Sequence, residues 1–257
     1  MDAQAIERAA RLLAQAWRSK QPLERLPDDC RPRDGAEALA IQAAVLAELG
    51  ESVAGWKAAI LPDHGLMIGL VPRSRVFASG ADIPSDLFSM LGIEAEIAFR
   101  FDRGLPPRAA PYERGEIEDA VTAFPAIELV DTRYPSYERA HFLDRAADFL
   151  SNGGFVAGSA REDWQSFDLE LIEASVTIDG EERVRRSGGH ASRDPLLPAI
   201  ALVNHLRLTA GVPAGAFVTT GTYTGLELAG PGSAVEARFE DFGAVVFQFV
   251  AASPEGA

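Results

Sequence analysis

From about Val53 onward the apolar residues of this chain recur at every second position, whereas before residue 50 they recur at helical spacing. That change of period constrains the fold more than any other feature, because a period of two belongs to half-buried strands and a period near 3.6 to amphipathic helices. Residues 3–18 put Ile6, Ala9, Leu13 and Trp17 on one stripe, and residues 34–49 put Leu39, Val45, Leu46 and Leu49 on another, with Gly50 placed as a C-cap. Strands are expected at 53–59, 93–101, 124–131, 171–179, 182–187, 216–220, 234–240 and 244–250. Asp179-Gly180 reads as a hairpin turn and Gly243 as a second turn. Helices are expected at 116–122 and at 195–210, the latter opened by Asp194-Pro195. The pattern is α+β and not a regular βαβ alternation. It suggests a helical or mixed region over 1–84 and a β-rich domain over 85–257, with a frayed tail from Ser253.

Two of these strands carry carboxylates in apolar company. In Gly92-Ile93-Glu94-Ala95-Glu96-Ile97-Ala98-Phe99, the apolar Ile93, Ala95, Ile97 and Phe99 point one way and Glu94 and Glu96 the other. In Pro125-Ala126-Ile127-Glu128-Leu129-Val130-Asp131, Ile127 and Leu129 share one face and Glu128 takes the opposite one. A solvated sheet face shows the same alternation, so the pattern alone leaves two readings open. If the three glutamates meet away from water they repel each other and lose hydration unless a cation sits among them. An all-oxygen donor set favours a hard divalent cation, Mg²⁺ or Mn²⁺.

A chain of 257 residues, 47% apolar, is long enough to bury a large core. Its net charge of −14 argues against nucleic-acid or anionic-membrane binding, which need basic surfaces. It leaves room for an anionic small molecule, since a metal and one lysine set the local sign. A single cysteine, Cys30, forms no intrachain disulfide and fits a reducing compartment. Residues 1–18 lack the apolar core of a secretory signal, and no run reaches the ~18 apolar residues of a membrane span, so the cytoplasm is the expected location.

Five segments, in order across about 170 residues, carry a family resemblance. They are Gly55-Trp56-Lys57, the 93–99 strand, Ala126-Ile127-Glu128-Leu129-Val130-Asp131-Thr132-Arg133-Tyr134, Ser151-Asn152-Gly153-Gly154-Phe155-Val156-Ala157-Gly158 and Thr220-Gly221-Thr222-Tyr223-Thr224-Gly225-Leu226. With them the chain resembles the 2-keto-4-pentenoate hydratases of the fumarylacetoacetate hydrolase superfamily. The resemblance implies a curved mixed β-sheet core, a homo-oligomer, and Glu94, Glu96 and Glu128 as ligands of Mg²⁺ or Mn²⁺. It places Lys57 at the substrate and has Asn152, Gly221, Thr222 and Thr224 line the substrate site. The implied substrate is a small 2-oxo or 2-hydroxydienoic acid, hydrated to a 4-hydroxy-2-oxo acid. Decarboxylation of a 2-oxo diacid is the alternative, as is a metal-containing binding protein without turnover.

The chain departs from that family in two places. Hydratases of this kind carry a longer segment after Gly-Trp-Lys, often with an acidic residue in a Pro-Asp-Tyr-Gly-like stretch. Here residues 61–70 are short and apolar, and only Asp63 and His64 are available to stand in as proton-transfer groups. The Asp-Asn that precedes Ser-Asn-Gly-Gly in the family is replaced around Asp148-Phe149-Leu150. Hydrolases of the superfamily add a His/Glu pair and use aspartate as third ligand, and Glu128 favours a hydratase or decarboxylase instead. Asp131 and Arg133 are positioned to form an ion pair behind Glu128. His190 and His205 are isolated in the sequence and read as structural.

Overall fold

The computed structural model describes residues 1–251. The tail from Ser253 lies outside the described residues. Two helices open the chain, α1 (Ala3–Ser19) and α2 (Gly35–Leu49). Both are capped by aspartate, Asp2 accepting from Ala5 N–H and Asp34 from Glu37 N–H at 2.8 Å each. Gly50 ends α2 at φ 70°, as its spacing suggested. There follow β1 (Val53–Leu61), β2 (Gly65–Pro72), β3 (Val76–Ala78), β4 (Ala81–Pro84) and β5 (Gly92–Phe101). Next come α3 (Arg114–Glu118), β6 (Val121–Val130), α4 (Phe142–Ala147), β7 (Asn152–Ala157), β8 (Glu173–Ile178) and β9 (Glu181–Ser187). The chain closes with α5 (Leu196–Leu206), β10 (Phe217–Thr222), β11 (Glu227–Leu228), β12 (Ala234–Phe239) and β13 (Gly243–Val250). None of these helices is long and apolar enough to cross a membrane.

The strands make two sheets. The larger runs β2-β1-β10-β5-β6-β7-β3, with β11 also paired to β5, and is mixed, because β1 with β10 and β3 with β7 are parallel pairs. The smaller runs β4-β13-β12-β8-β9. Strands on either side of residue 84 enter both sheets, β1 to β3 the larger and β4 the smaller, so a boundary after residue 84 does not follow the sheets. The main core lies between the sheets, where Ile93, Ala95, Ile97 and Phe99 of β5 meet Val176, Val235, Phe239 and Phe247. A second cluster sits under α1 and α2 and includes Leu13, Ile41, Val45, Met67 and Phe149. Cys30, which sits in a polar stretch of sequence, is buried in it.

Several local expectations are corrected. Residues 61–70, which lie outside the expected strands, are the turn and most of the second strand of a hairpin, with Leu61 opposite Gly65 and Lys57 opposite Gly69. Residues 152–157, glycine-rich and loop-like in sequence, form an inner strand: a Cβ on Gly153 would lie 2.3 Å from Asp131 Cβ, so only glycine fits there. The helix expected at 116–122 stops at Glu118, since Val121 and Thr122 already belong to β6, and α5 ends at Leu206, short of 210.

One buried side chain ties the helical layer to the sheet. Gln42, fully inaccessible on α2, donates to Ile68 O at 2.9 Å and Ala146 O at 2.7 Å, and accepts from Leu70 N–H at 2.7 Å. Gln42→Leu keeps the volume and strands three buried backbone groups. It is expected to lower unfolding free energy in urea by about 2–4 kcal/mol, given the cost of unsatisfied buried polar groups. A loss below the error of the measurement would show that this link does not hold the layers together.

Candidate metal centre

Strands β5 and β6 pair in antiparallel register with Glu94 directly opposite Glu128 and Glu96 opposite Ala126. Like charges directly opposite on a ladder are destabilising, and a second glutamate stands two residues along the same face. One carboxylate oxygen from each of Glu94, Glu96 and Glu128 lies within 4.8 Å of the others. Glu96 and Glu128 are wholly buried, and Glu94 is partly open to solvent. Beneath them the same face of the sheet is filled by Ala98, Phe124, Ala126, Phe155 and Phe217, with the rings of Phe155 and Phe217 stacked at 4.4 Å. The carboxylates therefore stand on an apolar floor.

Lys57 reaches this cluster from β1, three strands away from β6 in the order β1-β10-β5-β6. Three strand spacings on a flat sheet are about 14 Å, more than a lysine and a glutamate can bridge. Lys57 Nζ nevertheless lies 3.0 Å from Glu128 Oε1 and 2.8 Å from Oε2, so the sheet curls into a trough with the lysine on one wall and Glu128 on the other. Thr219, the residue paired with Lys57 on β10, hydrogen-bonds Glu96 through its hydroxyl, and Gly221 N–H donates to Glu96 Oε2 at 3.1 Å. Asn152 Nδ2 donates to Glu128 Oε1 at 2.9 Å.

Two buried carboxylate oxygens, Glu96 Oε1 and Glu128 Oε2, have no hydrogen-bond donor; Lys57 approaches the latter without hydrogen-bond geometry. Three carboxylates and one ammonium sum to −3 + 1 = −2, the charge one divalent cation cancels. Orphaned, converging oxygens with that deficit fit a hard divalent cation on Glu94, Glu96 and Glu128. The titration behaviour agrees. Burial, only partly opposed by Lys57 and reinforced by Glu128, raises Glu94 from 4.5 to about 7. Burial and the neighbouring Glu128 charge push Glu96 up as well. Burial alone would depress Lys57, but the charges of Glu128, Glu94 and Glu96 outweigh it and hold the ammonium above its ordinary pKa.

The other residues singled out in the sequence fall in different places. Asp63 and His64 occupy the exposed tip of the β1–β2 hairpin, six and seven residues beyond Lys57, and do not join the glutamates. His64 stacks on Phe142 at 4.2 Å and, with the exposed His205, borders an apolar cavity of about 570 Å³ between α2, β2 and α5. Gly221 and Thr222 are half-buried at the end of β10, where Gly221 takes φ 119° to bring its N–H to Glu96. The Thr222 hydroxyl accepts from Thr224 and Gly225 N–H at 3.2 and 3.0 Å and so shapes the turn. Thr224 is buried, its hydroxyl accepting from Ala95 N–H at 3.3 Å. Asn152 is fully buried and engaged with Glu128. Asp131 and Arg133 do pair, at 3.2 Å, and Asp148 completes the cluster. His190 is a buried structural donor: Nδ1 accepts from Ser192 N–H at 3.2 Å, which leaves Nε2–H to hold Thr220 O at 2.9 Å. Thr219 is a site residue that the spacing did not single out; its position one pair from Lys57 becomes visible only once β1 and β10 are known to be parallel neighbours.

The fumarylacetoacetate hydrolase C-terminal family model matches residues 47–250. The chain is 30% identical over 260 residues to the 2-keto-4-pentenoate hydratase of Paraburkholderia phymatum, covering 95% of this chain and 97% of that one. It is 27% identical over 266 residues to the enzyme of the same name from Paraburkholderia xenovorans, covering 97% and 96%. Among solved structures, 4-oxalocrotonate decarboxylase from Pseudomonas putida G7, complexed with magnesium and adipate, superposes with a TM-score of 0.84 at 20% identity, over 97% of this chain and 98% of that one. Fumarylpyruvate hydrolase from Pseudomonas aeruginosa, in complex with Mn²⁺ and pyruvate, superposes over 77% of this chain and 89% of that one, with a TM-score of 0.58 at 14% identity. Fold and sequence together define a protein of the fumarylacetoacetate hydrolase superfamily. Within it, the chain belongs to the 2-keto-4-pentenoate hydratase family.

The raised glutamates make a directional prediction. The metal-free folded state binds more protons than the unfolded chain between 4.5 and about 7, so its stability falls as pH rises through that window. Protein stripped with EDTA is expected to melt lower at about pH 8 than at about pH 5.5, and added Mg²⁺ to raise Tm more at the higher pH, where protons compete less for the carboxylates. A Tm indifferent to Mg²⁺ at both pH values would remove the site.

Proposed function

We propose that this protein is a divalent-metal-dependent lyase that hydrates a small 2-hydroxy-2,4-dienoic acid, of the 2-keto-4-pentenoate type, to a 4-hydroxy-2-oxo acid. The observation that carries this reading is the buried trio Glu94, Glu96 and Glu128 facing Lys57, with two carboxylate oxygens left without donors. The names of the two Paraburkholderia relatives supply the reaction class. Glu94, Glu96 and Glu128 would hold Mg²⁺ or Mn²⁺, which supplies a Lewis acid able to polarise the 2-oxo group of such an acid.

The chain's own residues then have defined tasks. Thr219 and Gly221 fix the Glu96 carboxylate, and Asn152 and Lys57 fix that of Glu128, so two of the three donors are held before any ligand arrives. Lys57, protonated because its carboxylate neighbours outweigh burial, offers positive charge to an anionic substrate and a proton at Nζ. In this reading it serves as an acid and an anchor. The aromatic floor of Phe124, Phe155 and Phe217 keeps water from reaching the carboxylates from below.

Decarboxylation of a 2-oxo diacid is a second reading, and the position of Asp63 and His64 favours it. With both at the hairpin tip, Lys57 is the one sequence-assigned proton-transfer residue at the cluster. Decarboxylation needs a single protonation at carbon, whereas hydration also needs water to be activated.

The test is a rate assay of metal-reconstituted protein on 2-hydroxypenta-2,4-dienoate and on a 2-oxo diacid, following dienol absorbance and CO₂ release. Loss of dienol absorbance without CO₂ release supports the hydratase; CO₂ release supports the decarboxylase. Glu96→Gln is expected to weaken Mg²⁺ binding in calorimetry and to abolish turnover. Lys57→Met is expected to lower kcat/KM by about 10²-fold with metal affinity little changed, the scale usual for a proton-transfer or electrostatic group. Full activity in Lys57→Met would remove the lysine from the mechanism. Tight binding of oxalate or pyruvate with no turnover of either substrate class would leave a metal-containing binding protein.

A further inference from the structure

Between α4 and β7, Phe149, Leu150 and Ser151 form one turn of left-handed helix, with φ of 54°, 54° and 63°. None of the three is glycine or asparagine, the residues that tolerate this conformation. Such a turn persists only where its surroundings over-determine it. Arg133 spans it. The guanidinium grips Asp148 by its carboxylate and, at 3.1 Å, by its carbonyl, and it donates to Asn152 O at 3.3 Å, so the residues immediately before and after the turn hang on one side chain. Asp131 N–H donates to Ser151 O at 3.0 Å. Gly69 leaves the gap into which the Phe149 carbonyl fits, since a Cβ there would lie 2.6 Å from that oxygen.

The grip is backed by the N-terminal helix. Trp17 of α1 meets Phe149 edge-to-face at 5.3 Å, and the same indole carries the Arg133 guanidinium 4.5 Å from its ring centre and that of Arg75 at 4.8 Å. The turn in its left-handed form presents two groups to the glutamate cluster. Leu150 O lies 3.4 Å from Lys57 Nζ, and the Asn152 amide, one residue beyond the turn, lies 2.9 Å from Glu128 Oε1. Reversing the hand of the turn redirects both, because each successive peptide plane would rotate away.

We propose, resting on the reading of Lys57 and Glu128 given above, that Arg133 and Trp17 are positioning residues. They hold the 149–151 turn left-handed and through it orient the Lys57 ammonium and the Glu128 carboxylate, with no hydrogen bond to either. The N-terminal helix therefore sets reaction rate as well as stability.

The chain has two lysines, Lys20 and Lys57, so protein labelled with ¹⁵N-lysine gives two side-chain ammonium signals, assigned with Lys57→Met. Trp17→Leu is expected to leave the circular dichroism spectrum in place and Mg²⁺ affinity within about threefold, to lower kcat about tenfold with KM little changed, and to displace or broaden the Lys57 signal. Adding Leu150→Gly supplies a residue that accepts positive φ without the grip. The double variant is expected to regain most of kcat and the Lys57 signal, although glycine lowers stability. A general loss of stability would worsen in the double variant, so recovery separates positioning from packing. A Lys57 signal unmoved by Trp17→Leu overturns the proposal, and so does a displaced signal that Leu150→Gly fails to restore. These NMR comparisons do not depend on turnover; a wild type inactive on both substrate classes would count against the proposed reaction alone.

Discussion

Three carboxylates face one ammonium across a trough floored by aromatic rings, and the rest of the structure is arranged around that imbalance. Glu94 and Glu128 face each other across a ladder and Glu96 stands beside them, so the β5–β6 pair carries a repulsion that no other part of the sheet shares. Phe124, Phe155 and Phe217 make it worse by excluding water. The curl of the larger sheet brings a cation to the cluster, because it carries Lys57 across three strand spacings to Glu128. The remaining charge of −2 must be met by protons or by a cation. That is why burial lifts Glu94 to about 7 and Glu96 in the same direction.

A site with that much stored repulsion needs rigid walls. Glu96 is pinned by Thr219 and Gly221, and Glu128 by Asn152 and Lys57. The wall behind Glu128 is the strained one. Left-handed conformation costs about 1–2 kcal/mol per ordinary residue, and three consecutive residues adopt it. Arg133, Asp148 and the ring of Trp17 offset that cost. Gln42 then fastens the same helical layer to β2 and α4. The first 50 residues thus stiffen the trough from outside.

Much of this was legible in the residues and some was not. The alternation at 93–99 and 124–130 placed the apolar and acidic residues on the correct faces, because a period of two is a local property of the strand. Asp179-Gly180 and Gly50 were legible for the same reason: positive φ leaves a mark on residue choice. Strands β2 and β7 were missed, since Gly69 and Gly153 look like loop residues until close approach of Phe149 and Asp131 explains them. Asp63 and His64 were assigned by their place in the chain, but the hairpin carries them outward to its tip. The left-handed turn left no local mark at all: Phe149 and Leu150 are poor residues for it, and what holds them comes from Arg133 and Trp17, 16 and 132 residues away from Phe149.

The distribution of positive charge follows the same logic. Of 24 basic residues, only Lys20 and Lys57 are lysines. Where a cation must grip several acceptors and stay charged, the chain uses arginine, as Arg133 does with Asp131, Asp148 and two carbonyls. The lysines sit where neighbours decide the proton. Lys20 donates to Leu87 O at 2.6 Å and is lowered to about 8 by burial and by Arg75. Lys57 loses hydration too, yet its three carboxylate neighbours drive it the other way. One residue type is pushed in opposite directions inside one fold: burial lowers both lysines, and at Lys57 the three carboxylates outweigh it. Any change that neutralises Glu94, Glu96 and Glu128 therefore removes the support of the Lys57 proton and leaves burial to act alone, so the charge state of the lysine is coupled to that of the cluster it serves.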